Sequence, residues 1–294
     1  MKTGIDGRTK VCGIFGCPVG HSLSPAMHNA AFAAAGLDYV YVPFPVAPEK
    51  LPQAVEAVRA LEMAGVNVTV PHKEAVLPLL DELSEAAALI GAVNTIVNRS
   101  GRLYGDNTDG RGFLRSLEMG PGFLPAGKTA LILGAGGAAR AVAVQLALAG
   151  AGRLIIANRT PARALELTSF LNKRTGVETG AATWPGTPGG IAGFTSLAEE
   201  FASSDLIVQA TSIGLQHDAG WTGLPFDRMR PEQVVCDLVY KPPETSFLKA
   251  ARRAGARAVN GLGMLLYQGA LAFEMWTGVP APVSVMQEAL DKRG

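Results

Sequence analysis

The chain has 294 residues, of which 48% are apolar and 17% charged, with a formal net charge of +1. That length suits about two domains of the usual ~100–200 residues, and the apolar share lets each bury a core. A balanced charge argues against nucleic acid or an anionic membrane as the main partner, since both favour a basic surface.

From the N-terminus, short β-type runs alternate with helical ones, the pattern of a parallel sheet with covering helices. KVCGIFG reads as a strand and PAMHNAAFAAAG as a helix closed by Gly36. Ser24 before Pro25 has the form of an N-cap followed by proline at the first helical position. YVYVPF and GVNVTV read as strands, with the helix LPQAVEAVRALEMAG between them. Strand alternation would put Asn67 and Thr69 on one face and Val66, Val68 and Val70 on the other. VNTIVNRSGRLYGDNTDG reads as a hairpin turning at NRSG, which would set Asn94 opposite Asn107 to Asp109.

A second series starts near Lys128 with TALILGAGG, a helix, RLIIANRT, and another helix. DLIVQATSIG, VVCDLVY and ARAVNG follow as strands, with LKAARRAG helical and HDAGWTGLPFDRMRPEQ mostly loop. Residues 175–190, rich in Gly, Thr and Pro, are expected to be an exposed connection. After Gly263 only helical patterning remains, and that tail must cover something, most simply the first domain. The expected fold is α/β with two domains. Residues 1–110 with 264–294 form an α/β substrate domain with a mainly parallel sheet, and 111–263 a Rossmann-type dinucleotide domain.

Cys12, Cys17 and Cys236 form no CxxC pair, as in a reducing cytosol, and the four histidines show no metal-ligand spacing. The opening MKTGIDGRTKVCGIFG is expected to carry no signal peptide, and no run approaches the ~18 apolar residues of a membrane helix. The expectation is a cytoplasmic protein acting on a small molecule, as a monomer or homodimer.

LILGAGGAARAVAVQLALAG supplies a strand, then Gly134-x-Gly136-x-x-Ala139, then a long apolar helix. Gly134 allows a tight turn, Gly136 lets the backbone approach a pyrophosphate, and small Ala139 permits close helix–strand packing. Arg140, just inside the helix, reads equally as a phosphate contact or a solvated residue. At the end of the second strand, where an acid would meet a ribose diol, stand Asn158, Arg159 and, four residues on, Arg163. A guanidinium pair without an acid suits a 2′-phosphate, so the cofactor expected is NADP rather than NAD.

Three further segments carry polar residues that a fold alone does not need. In HSLSPAMHN, Ser22 and Ser24 at a helix start suit a carboxylate. In NVTVPHK, Thr69 and Lys73 follow a strand. In GAVNT and GDNTDG, Asn94, Thr108 and Asp109 gather at one end of the hairpin. Lysine is seldom buried, so Lys73 reads first as an exposed residue.

Taken together, HSLSPAMHN, GVNVTVPHK, GAVNT, GDNTDG, GAGGAAR, NRT and GLGM resemble the shikimate dehydrogenase family over nearly the whole chain and in the family's order. The resemblance implies reversible NADPH-dependent reduction of 3-dehydroshikimate to shikimate, on the route through chorismate to aromatic amino acids. It implies that Ser22 and Ser24 bind the substrate carboxylate, that Thr69, Asn94, Asp109 and Gln268 hold the ring hydroxyls, and that Lys73 and Asp109 form the acid–base pair. Either member of that pair could carry the proton. Tyr240 and Gly261 would line the cleft near substrate and nicotinamide. Gly134, Ala135, Gly136, Gly137, Ala138, Asn158, Arg159, Thr160, Arg163 and Thr211 would complete the cofactor site. Departures are Gln209, where the family commonly has NAT, Asn260, where Asp often precedes GLGM, and an apparently longer 175–190 stretch. The rival readings are a broader, often NAD-using quinate/shikimate dehydrogenase, which an acid near position 158 would favour, and a non-catalytic ligand sensor, which would not need Lys73 with Asp109.

Overall fold

β-branched and aromatic residues punctuated by Gly and Pro build the strands of two separate sheets. The computed structural model describes residues 4–185, 193–211, 213–214 and 223–293. The chain falls into two compact units, Met1–Gly112 with Leu265–Gly294, and Phe113–Met264.

In the first unit, β1 (Lys10–Gly16), α1 (Ser24–Ala34), β2 (Tyr39–Pro45), α2 (Leu51–Ala60) and β3 (Gly65–Val68) follow the expected order. β4 (Glu82–Leu83) and α3 (Glu85–Ile90) come next, and the sequence reading missed both. The hairpin is β5 (Thr95–Arg99) and β6 (Arg102–Asp106), turning through Ser100 and Gly101, both at positive φ. The sheet order is β2-β1-β3-β5-β6-β4, with only β5 antiparallel to its neighbours. Aliphatic side chains from β3, α2 and the hairpin, among them Val55, Val66, Ile96 and Leu103, pack into one apolar cluster beneath it. Each such side chain removed from water contributes about 1.5–3 kcal/mol.

Two local expectations fail here. Ser24 is the first helical residue rather than the N-cap, with Leu23 at the cap position and no side-chain cap. Ser22 Oγ instead accepts from the Ser24 N–H at 3.3 Å, so the serine that meets a free N–H of this helix start stands two residues earlier. Val70 does not share the buried valine face, because β3 stops at Val68 and the chain turns at the cis Val70–Pro71 bond, leaving Val70 exposed.

After α4 (Thr108–Met119), within which the chain leaves the first unit, β7 (Thr129–Leu133), α5 (Gly137–Leu148), β8 (Arg153–Ala157) and α6 (Pro161–Thr175) appear as read. The expected connection over 175–190 is instead partly a strand. β9 (Glu178–Ala182) pairs in parallel with β8 and buries Ala181 and Ala182. Residues 186–190 of that stretch, and 217–222 of the loop expected before VVCDLVY, lie outside the described residues. β10 (Phe194–Thr195), α7 (Leu197–Ser203), β11 (Leu206–Gln209), β12 (Val234–Asp237), α8 (Ser246–Arg253) and β13 (Arg257–Val259) complete a seven-stranded parallel sheet, ordered β10-β9-β8-β7-β11-β12-β13. Counted from β7, this is the doubly wound order, whose switch point lies between β7 and β11.

The chain returns to the first unit within α9 (Leu262–Thr277) and ends in α10 (Val283–Asp291). There Phe273 stacks on Phe32, Trp276 Nε1 donates to the Ile96 carbonyl at 2.9 Å, and α10 packs on α1. The helical tail therefore covers the first sheet. No helix among the described residues is long and apolar enough to cross a membrane.

Candidate active site

The hairpin register creates the central cluster. Thr95 pairs with Asp106, so the residues just beyond both strand ends, Asn94 and Asn107 to Asp109, meet on one side. Asn94 N donates to the Asp106 carbonyl at 3.1 Å, and Thr108 N donates to Asn94 Oδ1 at 2.7 Å. That fixes the Asn94 amide so that Nδ2 reaches Asp109 Oδ1 at 2.8 Å and Gln268 Oε1 at 3.3 Å. Lys73 arrives from the other side, anchored by Val93 N donating to its carbonyl at 2.8 Å, and its Nζ donates to Asp109 Oδ2 at 2.6 Å. The Lys73 side chain is 33% and the Asp109 side chain 16% exposed, so a ligand can reach the pair while bulk water is partly held off. Such an arrangement can deliver a proton to, or take one from, an oxygen placed beside it.

The serines stand apart from this cluster. Ser22 is half-buried and Ser24 buried, joined to each other through the Ser24 N–H and Ser22 Oγ. Thr69 is half-buried just past β3, its N–H bonded to the Phe15 carbonyl at 2.9 Å. Its methyl lies where a Cβ on Gly16 would sit, 2.4 Å away, so only glycine lets the two chain segments approach this closely. Sequence reading missed the buried Tyr41 and Thr95 and placed Asn67 only on a strand face. All three are hydrogen-bonded in a chain that ends on Asn94 inside the sheet.

In the second unit the glycine turn sits at the switch point. Gly134 takes φ +117 with Ala210 O 3.0 Å from where its Cβ would be, so a side chain is excluded on two counts. Nothing lies within 4 Å of a Cβ at Gly136 or Gly137, and both are exposed with Ala138, while Ala135 is half-buried and Ala139 fully buried. An open, glycine-lined start of a twelve-residue helix is what a pyrophosphate requires. The Arg140 guanidinium lies over the Phe170 ring at 4.1 Å.

Asn158 Nδ2 donates to the Thr160 carbonyl at 3.0 Å, Thr160 stands at the N-cap position of α6 without a side-chain cap bond, and Arg159 and Arg163 are both exposed. Buried Gln209 ties Thr211 O, Ile213 O and Asp237 Oδ1 together at 3.0–3.3 Å, which shapes the loop carrying Thr211. Asn260 Oδ1 accepts from Leu262 N at 3.1 Å, a bond that an Asp could equally make. A Cβ on Gly261 would lie 2.1 Å from the Leu238 carbonyl. Tyr240 is half-buried, and burial pushes its phenol above the ordinary range, keeping it protonated.

Comparison with known proteins extends this geometry. Family models match residues 14–96 as a shikimate dehydrogenase substrate binding domain, 124–214 as shikimate/quinate 5-dehydrogenase, and 261–290 as a shikimate 5′-dehydrogenase C-terminal domain. Shikimate dehydrogenase (NADP(+)) of Desulforamulus reducens is 51% identical over 98% of this chain and 97% of its own. The chain belongs to the shikimate dehydrogenase family. A shikimate dehydrogenase from Listeria monocytogenes, solved with shikimate and NAD, superposes with a TM-score of 0.91 at 41% identity, covering 99% of both chains. The enzyme of Thermus thermophilus, solved with NADP(H) and shikimate, gives 0.83 at 40% identity over 97% of this chain and all of its own. Within this family frame, the hydrogen-bonded set Lys73, Asp109, Asn94 and Gln268 is the candidate reaction centre.

Proposed function

We propose that this protein is a cytoplasmic NADP-dependent shikimate dehydrogenase that reduces 3-dehydroshikimate to shikimate and runs the reverse reaction. The observation that carries this reading is the Lys73 ammonium held 2.6 Å from Asp109 in one hydrogen-bonded cluster with Asn94 and Gln268. We take the first unit, residues 1–110 with 264–294, as the substrate domain and residues 111–263 as the NADP domain.

Bound NADPH supplies the hydride, and the protein must place the ketone and deliver a proton to its oxygen. Ser22 and Ser24 bind the carboxylate, with Thr69, Asn94 and Gln268 on the ring hydroxyls. The Lys73/Asp109 pair delivers the proton to the oxygen and recovers one from water after each turnover. Tyr240 is assigned to the substrate and Gly261 to the nicotinamide end of the cofactor. Gly134 to Ala138 fit the pyrophosphate, and Asn158, Arg159, Thr160, Arg163 and Thr211 the adenosine end and its 2′-phosphate. Two exposed arginines with no acid at 158 favour NADP, and the same absence disfavours the NAD-using quinate reading.

The test is consumption of NADPH with 3-dehydroshikimate, with the product identified by chromatography. Stoichiometric shikimate is expected. No NADPH consumption, or a product other than shikimate, overturns the proposal.

A further inference from the structure

The bonds around Asp109 continue inward beyond Asn94. Asn94 Oδ1 accepts from Thr95 Oγ1 at 3.1 Å, and Thr95 Oγ1 accepts from Asn67 Nδ2 at 3.1 Å. Asn67 uses its other N–H on the Asn94 carbonyl at 3.1 Å, and its Oδ1 accepts from the Tyr41 hydroxyl at 2.7 Å. Tyr41, Asn67, Asn94 and Thr95 are each at most 4% exposed, so water cannot replace a missing partner.

We propose that Tyr41 is a positioning residue, which acts through Asn67 and Thr95 to hold the Asn94 amide turned toward Asp109. An asparagine amide is nearly symmetric in shape, so its partners decide which end is the donor. Burial holds Tyr41 protonated, pushing it well above its ordinary value, so it can only give its proton to Asn67 Oδ1. That turns Asn67 Nδ2 toward Thr95, whose one proton can then go to Asn94 Oδ1 while Thr108 Oγ1, 3.1 Å away, donates to the Thr95 oxygen. Asn94 is left with Nδ2 facing the carboxylate. The Thr108 N–H pulls Asn94 the same way at 2.7 Å, so the chain reinforces an orientation that the backbone also favours.

His28 contributes by offering nothing. Its ring stacks on Tyr41 with centroids 4.5 Å apart and 10° between planes, and both its nitrogens lack partners. It keeps the phenol dry without competing for its proton.

The inference rests on the reading of Lys73 and Asp109 as the acid–base pair. Tyr41→Phe keeps the stack and removes only the donor. Its kcat with shikimate should fall roughly five- to thirtyfold, the range that one buried neutral hydrogen bond commands. KM for shikimate and NADP should change less than about twofold, and the solvent isotope effect on kcat should rise as the proton step becomes limiting. Thr95→Val should reproduce the loss and Thr95→Ser restore it, which also carries the test if Tyr41→Phe does not fold. Tyr39→Phe, on the same strand, should leave kcat unchanged.

A second readout needs no substrate: the Asn94 side-chain NH₂ resonances should shift and exchange faster in Tyr41→Phe. If the unmodified protein fails to turn over shikimate, the functional reading falls, and the amide signals alone still decide the positioning. Unchanged Asn94 resonances, an unchanged kcat in Tyr41→Phe, an equal loss in Tyr39→Phe, or a Thr95→Ser as slow as Thr95→Val would each overturn it.

Discussion

Replacing Lys73 with alanine removes an ammonium 2.6 Å from Asp109 Oδ2 and leaves the backbone anchor at Val93 in place. With a third of the lysine side chain exposed, the ion pair is screened, and its loss should cost about 0–1 kcal/mol of stability. In a chain of this size ~1 kcal/mol moves Tm by about 2–4 °C. The same change removes a group proposed for proton transfer, worth ~10²–10⁴ in rate. That corresponds to about 2.7–5.4 kcal/mol of transition-state stabilisation. The gap between a small thermal shift and a large kinetic loss is the signature of a catalytic role. The assay is NADPH formation from shikimate, run beside thermal unfolding and NADP titration. NADP affinity should hardly change, because the glycine turn belongs to a different sheet. A kcat within about threefold of the parent would remove Lys73 from the mechanism. So would a collapse of Tm large enough to account for the lost turnover.

Arg159→Ala and Arg163→Ala should each weaken NADP by roughly ten- to a hundredfold, the scale of a charge-assisted bond, while NAD binding stays nearly constant. Equal losses for both cofactors in calorimetric titration would mean that the arginines only support the fold. Ser22→Ala should weaken shikimate binding by ~1–3 kcal/mol with kcat less affected, and an unchanged KM would refute the carboxylate role. His28 is fully buried, and that burial lowers its pKa from 6.5 to about 3. Between those values the unfolded chain takes up a proton that the folded one refuses, so stability is complete above 6.5 and falls as pH drops toward 3. At pH 4.5 the loss should reach about 2.7 kcal/mol, and His28→Leu should not show it. Parallel pH–stability curves for the two proteins in denaturant titrations would show that His28 is not the source.

What the sequence disclosed was local. The glycine turn, the NRSG hairpin and the apolar strands follow from residue types at short spacing, and the hairpin alone predicts that Asn94 meets Asp109. β9 was hidden because ETGAA has one β-branched residue and two alanines. It is a strand because β8 offers a paired edge and the core covers Ala181 and Ala182. Ser24 has the form of a cap, yet it is the first helical residue and its N–H goes to Ser22 Oγ, a shift that serine before proline does not report. The same holds for the Tyr41–Asn67–Thr95 chain, whose members come from β2, β3 and β5 and are neighbours only because of the strand order. Single polar letters in apolar runs were the available signal: Asn67 between two valines, and Thr95 directly after Asn94.

The most direct test is a single set of four kcat/KM values, for shikimate and quinate with NADP and with NAD. The highest value is expected for shikimate with NADP, at least about a hundredfold above either pairing with NAD, since the two arginine contacts favour the 2′-phosphate. Quinate should be a poor substrate with both cofactors. A preference for NAD, or comparable turnover of quinate and shikimate, would contradict it.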